Sequence, residues 1–243
     1  MPAHKSGARL AISYGYAPCM LGLCGPQNEK KRKIIARYLK EPKKLDAEIR
    51  KILKDFKGAY PYYKLIAQSN GISDPLDYSV VEAYWLGNSL LKKVKVSDFK
   101  KMMEEEFLPL GKMPAVKINY LPAKAIPHHN FHVLFIGSVT GRFKETQAGL
   151  DLCRVSWGKV KKIKKNEITI ARQPLKFGKK ITLNKPVEKI VSWNKHILPE
   201  VKPEDWISIH WNTAIEKLNP LRLKNLRKYN QDILKIISKK SGD

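Results

Sequence analysis

Cys153-Arg154-Val155-Ser156-Trp157-Gly158-Lys159-Val160 opens the stretch whose pattern decides the fold, and Trp206-Ile207-Ser208-Ile209-His210-Trp211 nearly closes it. Between the two lie short segments rich in β-branched residues, Val155 to Ile163, Glu167 to Ala171, Lys180 to Leu183 and Val187 to Trp193. With Trp206 to Trp211 these make five candidate strands. Lys164-Lys165-Asn166-Glu167 has the composition of a hairpin tip, and short strands at this spacing predict a small closed or partly open barrel of the OB kind. Asn219 then reads as an N-cap and Pro220 as the first residue of an amphipathic helix through Leu223, Leu226, Tyr229, Ile233 and Ile236.

Upstream of the barrel the period changes. Apolar residues recur at helical spacing from Asn28 to Lys40 and again from Leu45 to Phe56, with Lys, Arg and Glu between them. A further helix begins at Tyr60-Pro61 and stops at Asn70-Gly71. Asp77 caps a longer one through Val80, Val81, Tyr84, Leu86 and Leu91, and Ser97 caps another from Asp98 to Phe107. The run Pro127-His128-His129-Asn130-Phe131-His132 to Ile136 is buried whether it is helix or strand. Gly137 to Gly149 is polar and glycine-containing, and marks the expected domain boundary. The fold class is therefore α+β: a mostly α-helical domain over residues 1–145, then a barrel with a C-terminal helix over residues 150–243.

With 243 residues and 43% hydrophobic content the chain can bury a core without crosslinks. Three cysteines do not make a disulfide framework and point to free thiols or ligands in a reducing compartment. His4, Lys5 and Arg9 precede the apolar Leu10-Ala11-Ile12, but Tyr14, Gly15 and Pro18 interrupt the run, so no export signal is expected. No stretch is long and apolar enough for a membrane span. The expected location is the cytoplasm. A formal charge of +25 favours polyanionic partners, yet it is spread over both halves with no aromatic-basic stacking motif, so nucleic acid stands as a further alternative only. No phosphate-binding glycine loop and no nucleophile elbow occur, which disfavours ATP, dinucleotide and serine-hydrolase chemistry.

Two constellations carry candidate chemistry. Cys153 precedes the first barrel strand and His210 lies in the last, so a thiolate and an imidazole can converge on one metal, a pairing that suits zinc, copper or iron. Their ordinary alternative is a small buried hydrophobe and a barrel histidine. His128 and His132 stand four apart, and on a helix they would share a face, as in two-histidine metal sites. His129 would point elsewhere. Without a zinc-protease glutamate this pattern is weak, but it supports an alternative in which a metal-dependent enzyme is centred on His128 and His132. Glu82, beside Tyr84, Trp85 and Asn88, is a further catalytic candidate. Cys24, in the glycine-flanked Leu21-to-Pro26 loop, is a further ligand candidate.

Cys153-x-x-x-x-Gly158-Lys159-Val160, then Val201-Lys202-Pro203-Glu204-Asp205-Trp206-Ile207-Ser208-Ile209-His210, then Ala214-Ile215-Glu216-Lys217-Leu218, taken in order, resembles the HypC/HupF family of nickel-iron hydrogenase maturation chaperones. The likeness spans residues 151–236. Trp157 stands where that family has proline, and Glu204 where it commonly has glycine. Cys153 follows a long N-terminal segment, whereas the family cysteine opens the chain. The N-terminal half resembles an uncharacterised prokaryotic family. What the HypC/HupF resemblance implies is a carrier of iron bearing cyanide and carbon monoxide, held by Cys153 with His210 nearby. Its implied partners are a maturation scaffold protein and the hydrogenase large subunit. Arg154, Lys159 and Lys161 lie near Cys153 in sequence and are expected to lower its pKa, with the thiol reachable by solvent.

Overall fold

The computed structural model describes residues 6–238. His4 and Lys5 lie outside the described residues. The chain divides into two compact units, Met1–Lys144 and Glu145–Asp243. The first is helical, with α1 (Gly7–Met20), α2 (Glu29–Tyr38), α3 (Pro42–Leu53), α4 (Tyr60–Ser69), α5 (Tyr78–Trp85), α6 (Val96–Met102), α7 (Val116–Asn119) and the single turn α8 (His129–Phe131). The second holds α9 (Gln147–Cys153), β1 (Ser156–Lys164), β2 (Glu167–Arg172), β3 (Leu175–Lys176), β4 (Thr182–Leu183), β5 (Val187–Ser192), β6 (Trp206–His210), β7 (Thr213–Lys217) and α10 (Pro220–Ser238). The α+β class, with helices first and a small barrel after, is what the sequence pattern predicts.

In the N-terminal unit the first helix is a departure from expectation. The Leu10-to-Cys19 run, interrupted on paper by Tyr14, Gly15 and Pro18, is one helix of 14 residues. Ser6 caps it by accepting from the Arg9 N–H. Pro18 is tolerated because it falls in the last turn, where only one ladder bond is lost. Residues on every side of α1 are buried, so no amphipathic stripe advertises it. Gly7 permits the closest approach: a Cβ there would lie 2.1 Å from the Leu76 carbonyl oxygen. The helix capped by Asp77 is shorter than its apolar residues suggest. It ends at Trp85, Gly87 follows with a φ of +83°, and Asn88 starts a separate 3₁₀ turn over Ser89–Lys93.

Aromatic rings fill the centre of this unit. Tyr14 stacks on Trp85 at 4.7 Å between centroids, and Tyr62 meets Tyr84, Phe99 and Phe107 at 4.8, 5.5 and 5.6 Å. Burying each such ring contributes about 1.5–3 kcal/mol. Two π-helical turns flank this cluster, Met103–Phe107 after α6 and His132–Ile136 after α8. Such wide turns shift the side chains that follow out of α-helical register.

The second unit is a closed five-stranded barrel of order β1-β2-β5-β7-β6. All its pairings are antiparallel except a single parallel bridge, Ser192 to Thr213, between β5 and β7. Counting only barrel strands, this is the OB arrangement. One strand differs from expectation. The Lys180-to-Leu183 segment stays outside the barrel, where Thr182–Leu183 pairs with Leu175–Lys176. Its place is taken by Thr213–Lys217, which sequence pattern treats as a lead into the last helix. The core comprises Val160, Ile168, Ile170, Val191, Leu198, Ile207, Ile209 and Ala214, all inward positions of their strands or of the loop before β6. Gly158 is required in β1, since a Cβ would come 2.8 Å from Ile170 Cδ1. α10 begins at Pro220 as predicted and buries Leu223, Leu226, Tyr229, Ile233 and Leu234. No helix among the described residues is long and apolar enough to cross a membrane.

Candidate functional site

The site in the barrel unit follows from strand register. β1 and β6 pair antiparallel with Ser156 opposite Ile209. Cys153, three residues before Ser156, therefore lies beside the end of β6, where His210 sits. The two side chains meet: Cys153 Sγ is 3.9 Å from His210 Nε2. His210 is buried, and Cys153 keeps partial exposure.

What holds the thiol at this point is a short helix and a tight turn, neither of which is evident in the sequence. α9 is capped at its start by the Thr146 hydroxyl, which accepts from the Gly149 N–H. At its end the Leu152 carbonyl accepts from the Trp211 N–H at 2.9 Å. Trp211 and Asn212 form the two-residue connection between β6 and β7, with φ values of +48° and +56°. Positive φ at both central residues is the twist that joins antiparallel strands most tightly, and asparagine is a common occupant. Tryptophan is not. A bulky residue in the left-handed region is strained, at a cost of order 1–3 kcal/mol, and here its side chain hydrogen-bonds Cys153. The sequence pattern ends the strand at Trp211; the structure ends it at His210 and uses Trp211 as the turn.

The cationic activation of the thiol expected from Arg154, Lys159 and Lys161 is not present. Lys159 and Lys161 are engaged by Glu204, and Arg154 is turned away, donating to Asp151, to the Gln173 carbonyl and to Asn230. Burial pushes the Cys153 thiol up to about 12, with the Trp211 hydrogen bond opposing it. The group is a neutral thiol near pH 7.

Flanking Cys153 in sequence, Asp151 and Arg154 clamp α9 to the barrel. Asp151 accepts two bonds of 2.7 Å from Arg172 Nη2 on β2, one of 3.1 Å from Arg154 Nη2, and one of 3.0 Å from the Leu175 N–H. Arg154 and Arg172 are 1% and 3% exposed. This network fixes the backbone on either side of the thiol, and nothing in residue spacing announces it.

The two-histidine candidate of the N-terminal unit has a different construction. His128 does not present its ring to a ligand: it is the cap of α8, and its Nδ1 accepts from the Asn130 N–H at 3.0 Å. His132 opens the π turn, and its Nδ1 lies 3.0 Å from the Tyr62 hydroxyl. His128 stands at the extended cap position of α8, with φ −120° and ψ 148°, and its backbone carbonyl accepts from the His132 N–H at 3.0 Å. Burial lowers both imidazoles to about 3, so both are neutral. His129, set aside in sequence, has a definable tautomer. Tyr84 donates its one proton to the Gly58 carbonyl at 2.8 Å, so His129 Nδ1, 3.1 Å from the same oxygen, is the donor and Nε2 carries the lone pair. Its ring tilts over Trp85 at 4.3 Å.

Glu82 lies half-buried on α5, with Oε2 accepting from Asn88 Nδ2 at 3.3 Å. Cys24 sits in the loop after α1 between Gly22 and Gly25, both at positive φ, and a Cβ on Gly25 would strike the Phe56 ring at 2.7 Å. Among the described residues of this unit, no three His, Cys, Asp or Glu side chains converge at ligating distance.

Comparison with known proteins gives one result. Residues 3–243 match the sequence model of a family of unknown function (DUF6390), so the chain belongs to that family. No curated protein and no solved structure matches the chain significantly.

Proposed function

We propose that this member of the DUF6390 family is a maturation factor for nickel-iron hydrogenase, carrying an iron-cyanide/carbonyl group on Cys153 and His210 of its barrel unit. The observation that carries the reading is the 3.9 Å approach of Cys153 Sγ to His210 Nε2. It agrees with the resemblance of this stretch to the HypC/HupF chaperones. Ligand bonds of about 2.3 Å to sulfur and 2.0 Å to nitrogen at a tetrahedral angle bring the two donors to about 3.5 Å. A small adjustment of either side chain closes the pair on one ion.

Two ligands from the barrel unit leave other positions of the iron to its small diatomic ligands or to further donors, and a seat that is not a closed cage suits transfer. The high thiol pKa works in the same direction. Iron must displace a proton held up to about pH 12, so each protonation event at Cys153 favours release. Asp151 and Arg154 keep the thiol facing the imidazole, and the Trp211 side chain stabilises the developing thiolate. The working partners in this reading are a maturation scaffold protein and the hydrogenase large subunit, in the cytoplasm.

The test is anaerobic co-expression with a scaffold partner, followed by infrared spectroscopy and metal analysis. Wild-type protein should show metal-bound cyanide and carbonyl bands, absent from Cys153→Ala and retained in His132→Ala. Metal that survives Cys153→Ala but is lost in His132→Ala would instead establish the histidine-centred enzyme.

A further inference from the structure

The end of the barrel beside α9 holds more positive charge than it neutralises. β2 and β5 pair with Ile170 opposite Lys189 and Arg172 opposite Val187. Directly opposed residues project to the same side of a sheet. Ile168, Ile170 and Arg172 are the buried positions of β2, so Lys189 points inward, diagonal to Arg172. Arg154 joins them through the carboxylate it shares with Arg172, that of Asp151. Three cations thus face one acidic group, and two of the three are almost wholly buried.

Donor counting gives the same result. The Nε–H groups of Arg154 and Arg172 are buried with no hydrogen-bond partner. Lys189 makes no hydrogen bond or ion pair with any described residue. Buried donors left unmade are costly, and a buried cation without a counter-charge more so. A second carboxylate would resolve both, but the exposed Glu188 faces the opposite side of β5. Burial lowers the Lys189 ammonium below its usual value, with Arg172 acting in the same direction, as expected where compensation is incomplete.

We propose that this end of the barrel binds one tetrahedral oxyanion of the phosphate class between Arg172 and Lys189. Guanidinium Nε–H and an ammonium on a mobile stem are complementary to such an ion, the first by fixed direction and the second by charge. Asp151 alone does not balance the cluster, because its single negative charge is shared among Arg154, Arg172 and Lys189. The same chemistry is offered by free inorganic phosphate and by a phosphomonoester group on a larger molecule. The site shares Asp151 and Arg154 with the clamp beside Cys153, but anion binding by Arg172 and Lys189 requires no metal on that thiol.

Isothermal titration of the full chain with inorganic phosphate and, separately, phenyl phosphate, against chloride at matched ionic strength, tests this. One saturable site per chain is expected for at least one probe, and the identity of that probe says whether the free or the esterified form is taken. Lys189→Met should weaken binding by tenfold or more while leaving the thermal midpoint in chloride unchanged or raised. Lys189→Arg should preserve binding, and Lys162→Met, an exposed lysine on the outer face of β1, should leave it untouched. Absence of saturable binding to both probes, or equal affinity in Lys189→Met and wild type, overturns the proposal.

Discussion

The two units each bury histidine, and they do so to different ends. In the N-terminal unit two of the rings are structural parts: His128 caps a helical turn and His132 meets the Tyr62 phenol. In the barrel unit His210 turns Nε2 toward a thiol, and a network of charged groups fixes the backbone on either side of that thiol. Burial alone is therefore a poor guide to chemistry. The distinction lies in whether ring nitrogens face backbone and phenol groups or another potential ligand.

The largest effect that would break this comparison lies in acid. His128 and His132 are held neutral, near 3, against an unfolded value of about 6.5. A group with a depressed folded pKa contributes stability above its unfolded value and loses it as pH falls toward the folded one. Between pH 6.5 and 3 the unfolded chain binds up to two more protons here, so stability should fall by up to about 2.7 kcal/mol per pH unit, reaching roughly 6 kcal/mol at pH 4. Urea midpoints across this range, in wild type and His132→Gln, measure it. A slope unchanged by the substitution would mean that His132 is not held neutral by burial.

A smaller effect tests the clamp on the other side of the comparison. Asp151→Ala leaves two buried guanidiniums without their shared carboxylate, and should cost about 3–5 kcal/mol. Asp151→Asn keeps an acceptor for the Leu175 N–H and should cost less. Thermal or urea unfolding of the purified variants gives the ranking, and equal losses would show that hydrogen bonding, rather than charge, is what Asp151 supplies.

How much of this was legible before the structure depends on whether the signal is periodic. α10 is announced by Asn219-Pro220 and a regular apolar stripe, and β1, β2, β5 and β6 by their β-branched runs. α1 is hidden because a helix buried on all sides has no stripe to count. β7 is hidden because Thr213-Ala214-Ile215-Glu216-Lys217 mixes small, charged and apolar residues and runs directly toward a helix. The Cys153–His210 pair is suggested by strand position as well as by resemblance, and the contact itself is a consequence of β1–β6 register. The Asp151–Arg154–Arg172 network joins α9 to the end of β2 across 21 positions; a contact between elements of that separation leaves no trace in spacing. Arg154 next to Cys153 reads as an activating charge, whereas its side chain is directed to Asp151, and neighbouring residues on a chain seldom share a direction.

The smallest effect, and the finest test of the comparison, is the reactivity of Cys153. A thiol with an unperturbed pKa would alkylate at a rate that rises with pH and levels off above about 8.5. Burial holds this one up to about 12, so its rate should climb roughly tenfold per pH unit through pH 10 without a plateau, and be slow near pH 7. Mass spectrometry of iodoacetamide-treated native protein, resolving the Cys153 peptide from those of Cys19 and Cys24, reads the three thiols separately. Cys153→Ala should change stability by less than about 1 kcal/mol near neutral pH, since the substitution removes a single small side-chain atom. Loading the protein with cobalt(II) as a spectroscopic stand-in should protect Cys153 from alkylation and produce a thiolate charge-transfer band, more strongly as pH rises, because the metal competes with a proton for the same sulfur. If Cys153 instead reaches a plateau near pH 8.5, its thiol is solvated rather than enclosed, and the seat formed with His210 and Trp211 is looser than the geometry describes.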